Sequence, residues 1–166
     1  MNNSISQKKE VNLFKRIRML IWLFIICLVL SGITAFPIES ELKIANENLL
    51  LLPTFLRNWI ATVYQAVHIS NGNYPFLSYG TDWLAFAHLA IAVAFIGPLK
   101  DPLKNIWVIQ FGMIACLMIF PLALVAGPVR GIPFYWQMID CSFGFFGFVL
   151  LYTIFKQIKK LESYSK

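Results

Sequence analysis

The chain has 166 residues, of which 58% are hydrophobic and only 13% are charged. A soluble domain carries roughly 25% charged residues, so this composition excludes an ordinary water-soluble domain and indicates a protein that spans a lipid bilayer. The net charge of +6 does not indicate a nucleic-acid partner, because the charges flank apolar runs instead of lining one face.

A basic segment precedes the first apolar run. Its cationic side chains are Lys8, Lys9, Lys15, Arg16 and Arg18. The uncharged run that follows covers residues 19–38, and about 20 apolar residues are needed to span a hydrocarbon core of about 30 Å. The pattern predicts a first transmembrane helix. A signal peptide shows the same order of features, but this run is long and Ile33-Thr34-Ala35 is a poor cleavage site.

Residues 39–81 are polar enough to lie outside the bilayer. After Pro53, apolar side chains recur at helical spacing, which predicts an amphipathic helix of about 15 residues at the membrane interface. Its apolar residues are Phe55, Leu56, Trp59, Ile60, Val63 and Val67. This helix either covers the transmembrane bundle or only anchors the loop to lipid. The segment ends in the loop signals of residues 70–75.

Three further apolar runs predict transmembrane helices over residues 83–99, 106–126 and 134–155. Thr81 or Asp82 is a plausible N-cap for the second helix, and Pro121 is expected to kink the third. The fold class predicted for residues 1–166 is therefore an all-α integral membrane protein. It consists of a single four-transmembrane-helix bundle, with an extracytoplasmic amphipathic helix between helices one and two.

The distribution of basic residues predicts the orientation. Of the 14 lysines and arginines, all but Lys43, Arg57 and Arg130 lie in the N-terminal segment, the short loop at residues 100–104 and the C-terminal tail. Because basic residues next to short loops favour the cytoplasmic side, we expect a multi-pass protein of the plasma (inner) membrane with both termini in the cytoplasm. The loop over 39–81 and the Arg130 turn then face outward.

Two polar residues within apolar runs are the predicted catalytic pair. His88 lies six residues past Asp82, and Asp140 lies six past Phe134. With helices two and four running in the same direction, each is about 9 Å below the outer surface at 1.5 Å per residue. A charged residue inside a membrane helix usually faces a polar interior. A hydrogen bond or ion pair between His88 and Asp140 would satisfy both and provide an acid–base pair.

Four more residues near the same mouth are the predicted ligand-binding set: Asp82, Arg130, Trp136 and Gln137. Arg130 would hold an anionic head group and Trp136 would line the pocket, while Glu39, Glu41 and His68 come from the preceding loop. Structural alternatives remain open, since Asp82 also suits a helix N-terminus and Arg130 also suits lipid phosphate. Gly144 and Gly147 are expected to let a neighbouring helix approach closely.

These features predict a polar pocket near the extracytoplasmic face that binds or processes a lipid-like, quinone-like or small ligand. Whether the protein is an enzyme stays open. The alternative is a non-catalytic accessory or assembly subunit of a larger membrane complex, or a homo-oligomer. No cofactor or metal is predicted. Haem or metal binding is less favoured, because only His88 lies in an apolar run and no HxxxH, HExxH or CxxCH occurs. The three cysteines are isolated and form no motif.

Overall fold

A computed structural model describes residues 2–48 and 52–164, and these residues form helices and turns with no strand. Lys166 and residues 49–51, which belong to the predicted tail and loop, lie outside the described residues. The α-helices are α1 (Asn2–Ala35), α2 (Ile38–Glu47), α3 (Thr54–Asn73), α4 (Tyr79–Ala94), α5 (Ile96–Lys100), α6 (Ile106–Pro121), α7 (Gly127–Val129) and α8 (Phe134–Tyr164). A 3-10 turn, Pro75–Ser78, precedes α4, and a π-helical turn, Leu122–Ala126, follows α6.

Among the described residues, four helical segments are long and apolar enough to cross a membrane. They are Glu10–Ala35, Pro75–Lys100, Ile106–Val129 and Phe134–Tyr164. The last three segments contain the predicted spans 83–99, 106–126 and 134–155, and the first contains residues 19–35 of the predicted span 19–38, because α1 ends at Ala35. The number of apolar helices and their order agree with the sequence prediction. Their placement in a bilayer, and as one bundle, stays a prediction.

The helix ends differ from the predicted ones in two informative places. The second apolar segment begins at Pro75, and α4 begins at Tyr79. Thr81 and Asp82 therefore lie inside the first turns of α4, and the prediction that one of them is the N-cap is wrong. The predicted loop at residues 70–75 is also shorter than expected, because α3 continues to Asn73. Glycine and asparagine have a low propensity for helix interiors, but both are common at helix C-termini.

Many large apolar side chains on these helices are exposed. Trp22, Trp107 and Met118 are 50%, 61% and 64% exposed, and Phe143 and Phe146 are still more so. Such surface would associate in water, whereas in a membrane it contacts lipid tails. The exposure pattern is the one expected of a multi-pass membrane protein.

The chain forms two compact units. Unit 1 comprises Met1–Ile26 with Val93–Lys166, and unit 2 comprises Cys27–Ala92. Unit 1 is held mainly by α6 packing along α8. Its fully buried side chains include Ile21, Phe95, Ile109 and Leu151, and the rings of Phe24 and Phe95 lie 4.7 Å apart.

Glycines in α6 and α8 allow this close approach. A Cβ on Gly144 would lie 2.8 Å from the Cys116 carbonyl oxygen, and a Cβ on Gly147 would lie 2.8 Å from the Cys116 Sγ. The expectation that Gly144 and Gly147 let a neighbouring helix approach is confirmed, and the neighbour is α6. A Cβ on Gly112 would lie 2.8 Å from both Leu151 and Phe95.

The end of α6 is irregular at the expected proline. Pro121 has no N–H to donate, which disturbs the hydrogen-bond ladder, and the chain continues as the π-helical turn Leu122–Ala126. The reversal that follows contains Gly131, whose φ of 69° is accessible to glycine at little cost. The buried Gln137 donates from Nε2 to the Ile132 carbonyl at 2.8 Å and packs on Gly127. This glutamine therefore fixes the turn before α8.

Unit 2 contains the C-terminal part of α1, then α2, α3 and most of α4. A Cβ on Gly32 of α1 would lie 2.9 Å from the Ala85 carbonyl oxygen and 3.1 Å from the Leu89 side chain, so α1 and α4 are in backbone contact there. Helix α2 packs on α3, and neither contains a buried residue. Helix α3 covers the segment predicted to be amphipathic, while its position at a membrane interface stays a prediction.

We expect Gly32→Ala to lower the stability of unit 2 by about 1–3 kcal/mol, because the backbone oxygen of Ala85 cannot yield as a side chain can. Gly80→Ala is the matched control, since a Cβ there meets nothing within 4 Å and alanine favours a helix. Thermal unfolding in detergent, followed by circular dichroism, measures both. Equal midpoints for the two variants would contradict the close α1–α4 contact.

Candidate ligand-binding site

Four polar side chains from three segments of unit 2 meet beside the start of α2. Glu39 lies in the first turn of α2, His68 and Asn71 lie in the last turns of α3, and Ser78 ends the 3-10 turn. Because the first turn of α2 meets the last turns of α3, the two helices are antiparallel. Their packing brings together residues that are 29 and 32 positions apart in the chain.

The Glu39 carboxylate is the centre of this network. The His68 ring donates from Nδ1 to Oε1 at 2.7 Å, and the Asn71 amide donates from Nδ2 to Oε2 at 2.6 Å. The Ser78 hydroxyl donates to the Asn71 Oδ1, and the Tyr64 ring stacks on the His68 ring at 5.8 Å. Since a carboxylate only accepts, the proton of a neutral His68 is on Nδ1. Asn71 thus uses both ends of its amide and joins α2 to the 3-10 turn.

These hydrogen bonds stabilise the charged form of Glu39. The Asn71 amide, and then His68, hold the pKa of the Glu39 carboxyl below its ordinary value. A lowered carboxyl pKa contributes stability that is present above the ordinary value and is lost as the pH falls through the lowered one.

We therefore expect the α2–α3 contact to persist on acidification through the ordinary glutamate range and to open only below it. Amide hydrogen exchange of residues 38–47 and 54–73 across that range measures the opening. Glu39→Gln should remove this part of the pH dependence. Glu41→Gln, two residues further along α2, is the control and should retain it. Opening at the ordinary glutamate pKa in the wild type would show that the hydrogen bonds do not stabilise the carboxylate.

Two adjoining cavities open next to the network, both lined by unit 2 alone. The first, the polar cavity, has a volume of about 210 Å³ and is lined by Phe36, Pro37, Ile38, Glu39, Ser40, Asn71, Ser78, Thr81 and Asp82. The second, the aromatic cavity, has a volume of about 300 Å³ and is lined by Phe36, Tyr79, Asp82, Trp83 and Phe86. Phe36 and Asp82 line both, so the cavities meet at these two side chains.

The charge of the cavity lining is one-sided. Its carboxyl groups are those of Glu39 and Asp82, and it contains no lysine or arginine. In the described part of unit 2, Asp82 has no hydrogen-bond or ion-pair partner. In unit 1, by contrast, Arg16 and Lys160 line a cavity of about 370 Å³. The unit 2 cavities therefore suit a ligand with hydrogen-bond donors or positive charge.

The predicted site residues fall into both units. Asp82 and His88 belong to unit 2, whereas Arg130, Trp136, Gln137 and Asp140 belong to unit 1. Asp82 lines the cavities described above. The ligand-binding roles of Arg130, Trp136 and Gln137 stay predictions, although the bond of Gln137 to Ile132 gives this residue a structural role.

The predicted catalytic residues belong to different units, His88 to unit 2 and Asp140 to unit 1. The His88 ring lies 2.8 Å from the Leu84 carbonyl through Nδ1. A carbonyl only accepts, so Nδ1 carries the proton and, in the neutral ring, Nε2 is the acceptor. In the described part of unit 1, the half-buried Asp140 carboxylate has no hydrogen-bond partner. The pairing of His88 with Asp140 stays a prediction.

Sequence reasoning missed Asn71, Ser78 and Thr81 as parts of a site. Residues 70–75 contain strong loop signals, and this obscured the last turn of α3. Asn71 follows His68 by three positions, which places both on one face of a helix. A predicted helix that continued to Asn73 would have placed His68 and Asn71 side by side.

The fold defines the class of this protein: over residues 2–48 and 52–164 the chain is helical without strands, and four of its helical segments are long and apolar enough to span a membrane. No protein-family model, curated protein or solved structure matches the chain. The function is therefore inferred from the residues and geometry of the unit 2 cavities.

Proposed function

We propose that this is a multi-pass membrane protein that binds a lipid-like or small amphiphilic ligand in the two cavities of unit 2. The single observation that carries the proposal is that the polar and aromatic cavities adjoin. Hydrogen-bonding groups line one side, and the rings of Tyr79, Trp83 and Phe86 line the other. Ligand sites typically combine apolar walls with a few placed polar groups. An amphiphile matches both, because it has a polar head group and an apolar chain.

The position of the site in the chain fits such a ligand. The aromatic cavity is formed by the first turns of α4, a helix of one apolar segment, and by Phe36 just after α1. These are the ends of two predicted spans, where tyrosine and tryptophan are enriched at the membrane surface. The excess of basic residues at the other ends of the spans supports an extracytoplasmic site, with both termini in the cytoplasm of a plasma-membrane protein.

Processing of the ligand is the second part of this proposal. His88 lies two turns along α4 from Asp82, and its neutral ring has an acceptor at Nε2. The proposal keeps Asp140 as the second acid–base group that was predicted together with His88. Such a pair can transfer a proton to a ligand.

The test is retention of an amphiphile by the purified full-length protein. In mild detergent, native mass spectrometry should detect a bound lipid-like molecule. Ser40→Trp should reduce its occupancy several-fold, because Ser40 lines the polar cavity and an indole would fill it. Thr62→Trp is the control, since Thr62 is exposed on α3 and bonds only to Asn58 of its own helix.

Equal retention by wild type and Ser40→Trp would overturn the assignment to these cavities. A wild-type protein that carries no amphiphile but a stoichiometric protein partner would instead support the accessory-subunit alternative.

A further inference from the structure

The aromatic cavity has one charged group and four rings. Tyr79, Asp82, Trp83 and Phe86 follow the i, i+3, i+4, i+7 spacing of one helix face, and Phe36 supplies the fourth ring from the end of α1. The Tyr79 and Trp83 ring centres are 6.0 Å apart at 76°, and those of Trp83 and Phe86 are 5.7 Å apart at 89°. Successive rings are therefore nearly perpendicular, so their faces point in different directions.

Each common explanation of these residues accounts for only part of the arrangement. An aspartate in the first turns of a helix is favoured by the helix dipole, but the dipole does not require rings around it. Aromatic residues are common at membrane surfaces, but a belt of rings does not require a carboxylate in its midst. A positively charged ligand explains both, since ring faces attract cations and a carboxylate neutralises them.

We propose that the ligand carries an ammonium group, which Asp82 neutralises and the rings of Phe36, Tyr79, Trp83 and Phe86 surround. This inference rests on the proposed amphiphile-binding function and specifies its head group. The aromatic cage is a known means of recognising quaternary ammonium groups, and a cavity of about 300 Å³ has room for a methylated ammonium with the first part of a chain.

The neighbouring polar cavity extends the same preference. Glu39 adds a second carboxylate, already held by Asn71 and His68, and Ser40, Ser78 and Thr81 add hydroxyl groups. A phosphate or carboxylate head group placed there would meet two acids and no lysine or arginine. This differs from the sequence expectation of an anionic head group at Arg130, which belongs to unit 1.

The experiment compares two probes with one chain length, dodecyltrimethylammonium and dodecyl phosphate, in dodecyl maltoside micelles that serve as the uncharged reference. Binding to the full-length protein is measured by calorimetry in maltoside micelles, with empty micelles as the blank. We expect the ammonium probe to bind at least about tenfold more tightly than the phosphate, which is about 1.4 kcal/mol, because ring faces and a carboxylate attract a cation and repel an anion.

Matched variants separate the cage from the rest of the surface. Asp82→Asn and Trp83→Leu should each weaken binding of the ammonium probe about tenfold, while Trp83→Phe should retain part of the affinity. Glu41→Gln removes an exposed acid that lines neither cavity, and Trp107→Leu removes an exposed ring of unit 1; both should leave binding unchanged. If Asp82→Asn does not fold, the comparison of Trp83→Leu with Trp83→Phe still tests whether an aromatic ring is needed for binding of the ammonium probe.

The outcomes distinguish this inference from the proposed function. Equal binding of ammonium and phosphate, with both lost in Ser40→Trp, would overturn the ammonium assignment and leave amphiphile binding standing. Binding of neither probe would count against both. Competition with tetramethylammonium identifies the source: displacement of the dodecyl probe supports a free cation, and no displacement supports a lipid-borne one.

Discussion

Replacing Gly144 by leucine is expected to destabilise unit 1 by about 3 kcal/mol, the upper end of the usual cost of overpacking. A Cβ at this position meets the Cys116 carbonyl oxygen at 2.8 Å and the Ile119 Cβ at 3.2 Å. Backbone and Cβ atoms can move only if α6 and α8 separate. Thermal unfolding of the purified protein in detergent, followed by circular dichroism, measures the change.

Alanine variants provide the control for this prediction. Gly144→Ala should lower the unfolding midpoint less than Gly144→Leu does, and Gly147→Ala should have the smallest effect. A Cβ on Gly147 meets the Cys116 Sγ, and a thiol can rotate away. Both alanines gain the same helix propensity, so their difference reports the contact alone. A Gly147→Ala variant that is less stable than Gly144→Ala would contradict the described α6–α8 packing.

The variant Asn71→Asp is expected to have the largest effect on the candidate site. It replaces the amide that donates to Glu39 at 2.6 Å with a second carboxylate of the same shape. A charge-assisted hydrogen bond becomes a repulsion between like charges. The α2–α3 contact should open, and retention of the amphiphile should fall about tenfold or more.

Hydrogen exchange of residues 38–47 measures this opening, and native mass spectrometry measures the bound ligand. Asn73→Asp is the matched control in the same helix turn, because the Asn73 amide bonds only to the Ile69 carbonyl of α3. Unchanged exchange in Asn71→Asp at neutral pH would show that the Glu39 network does not hold the two helices together.

The apolar helices could be predicted because length and hydrophobicity determine a membrane span with little dependence on tertiary context. Helix α2 could not. Its ten residues, Ile38–Glu47, are mostly polar, and a helix this short is only marginally stable by itself. Packing on α3 and the bond between Glu39 and Asn71 stabilise it, and neither contact is visible in a local pattern.

The candidate site could be predicted in part. The sequence indicated five polar residues near one mouth: Glu39, Glu41, His68, Asp82 and Arg130. Of these, Asp82 and Glu39 line the adjoining cavities of unit 2 and His68 bonds to Glu39, whereas Glu41 lines neither cavity. The role of Arg130 stays a prediction. Depth along a helix follows from counting residues, but the direction of a side chain around the axis changes by about 100° per residue. The prediction that His88 faces Asp140 used only the depth of each residue along its helix. The direction of each side chain around its helix axis also decides the contact, so the pairing stays a prediction.

The central claim is that the cavities beside Phe36 and Asp82 hold an amphiphile, and photo-crosslinking tests it most directly. The probes are photoreactive dodecyl chains, one with a trimethylammonium head and one with a maltoside head, applied to the full-length protein in micelles. The account predicts that the ammonium probe labels residues 36–40 and 79–86, and that unlabelled dodecyltrimethylammonium competes for these positions. Labelling spread evenly over the four apolar helices, without competition, would contradict it.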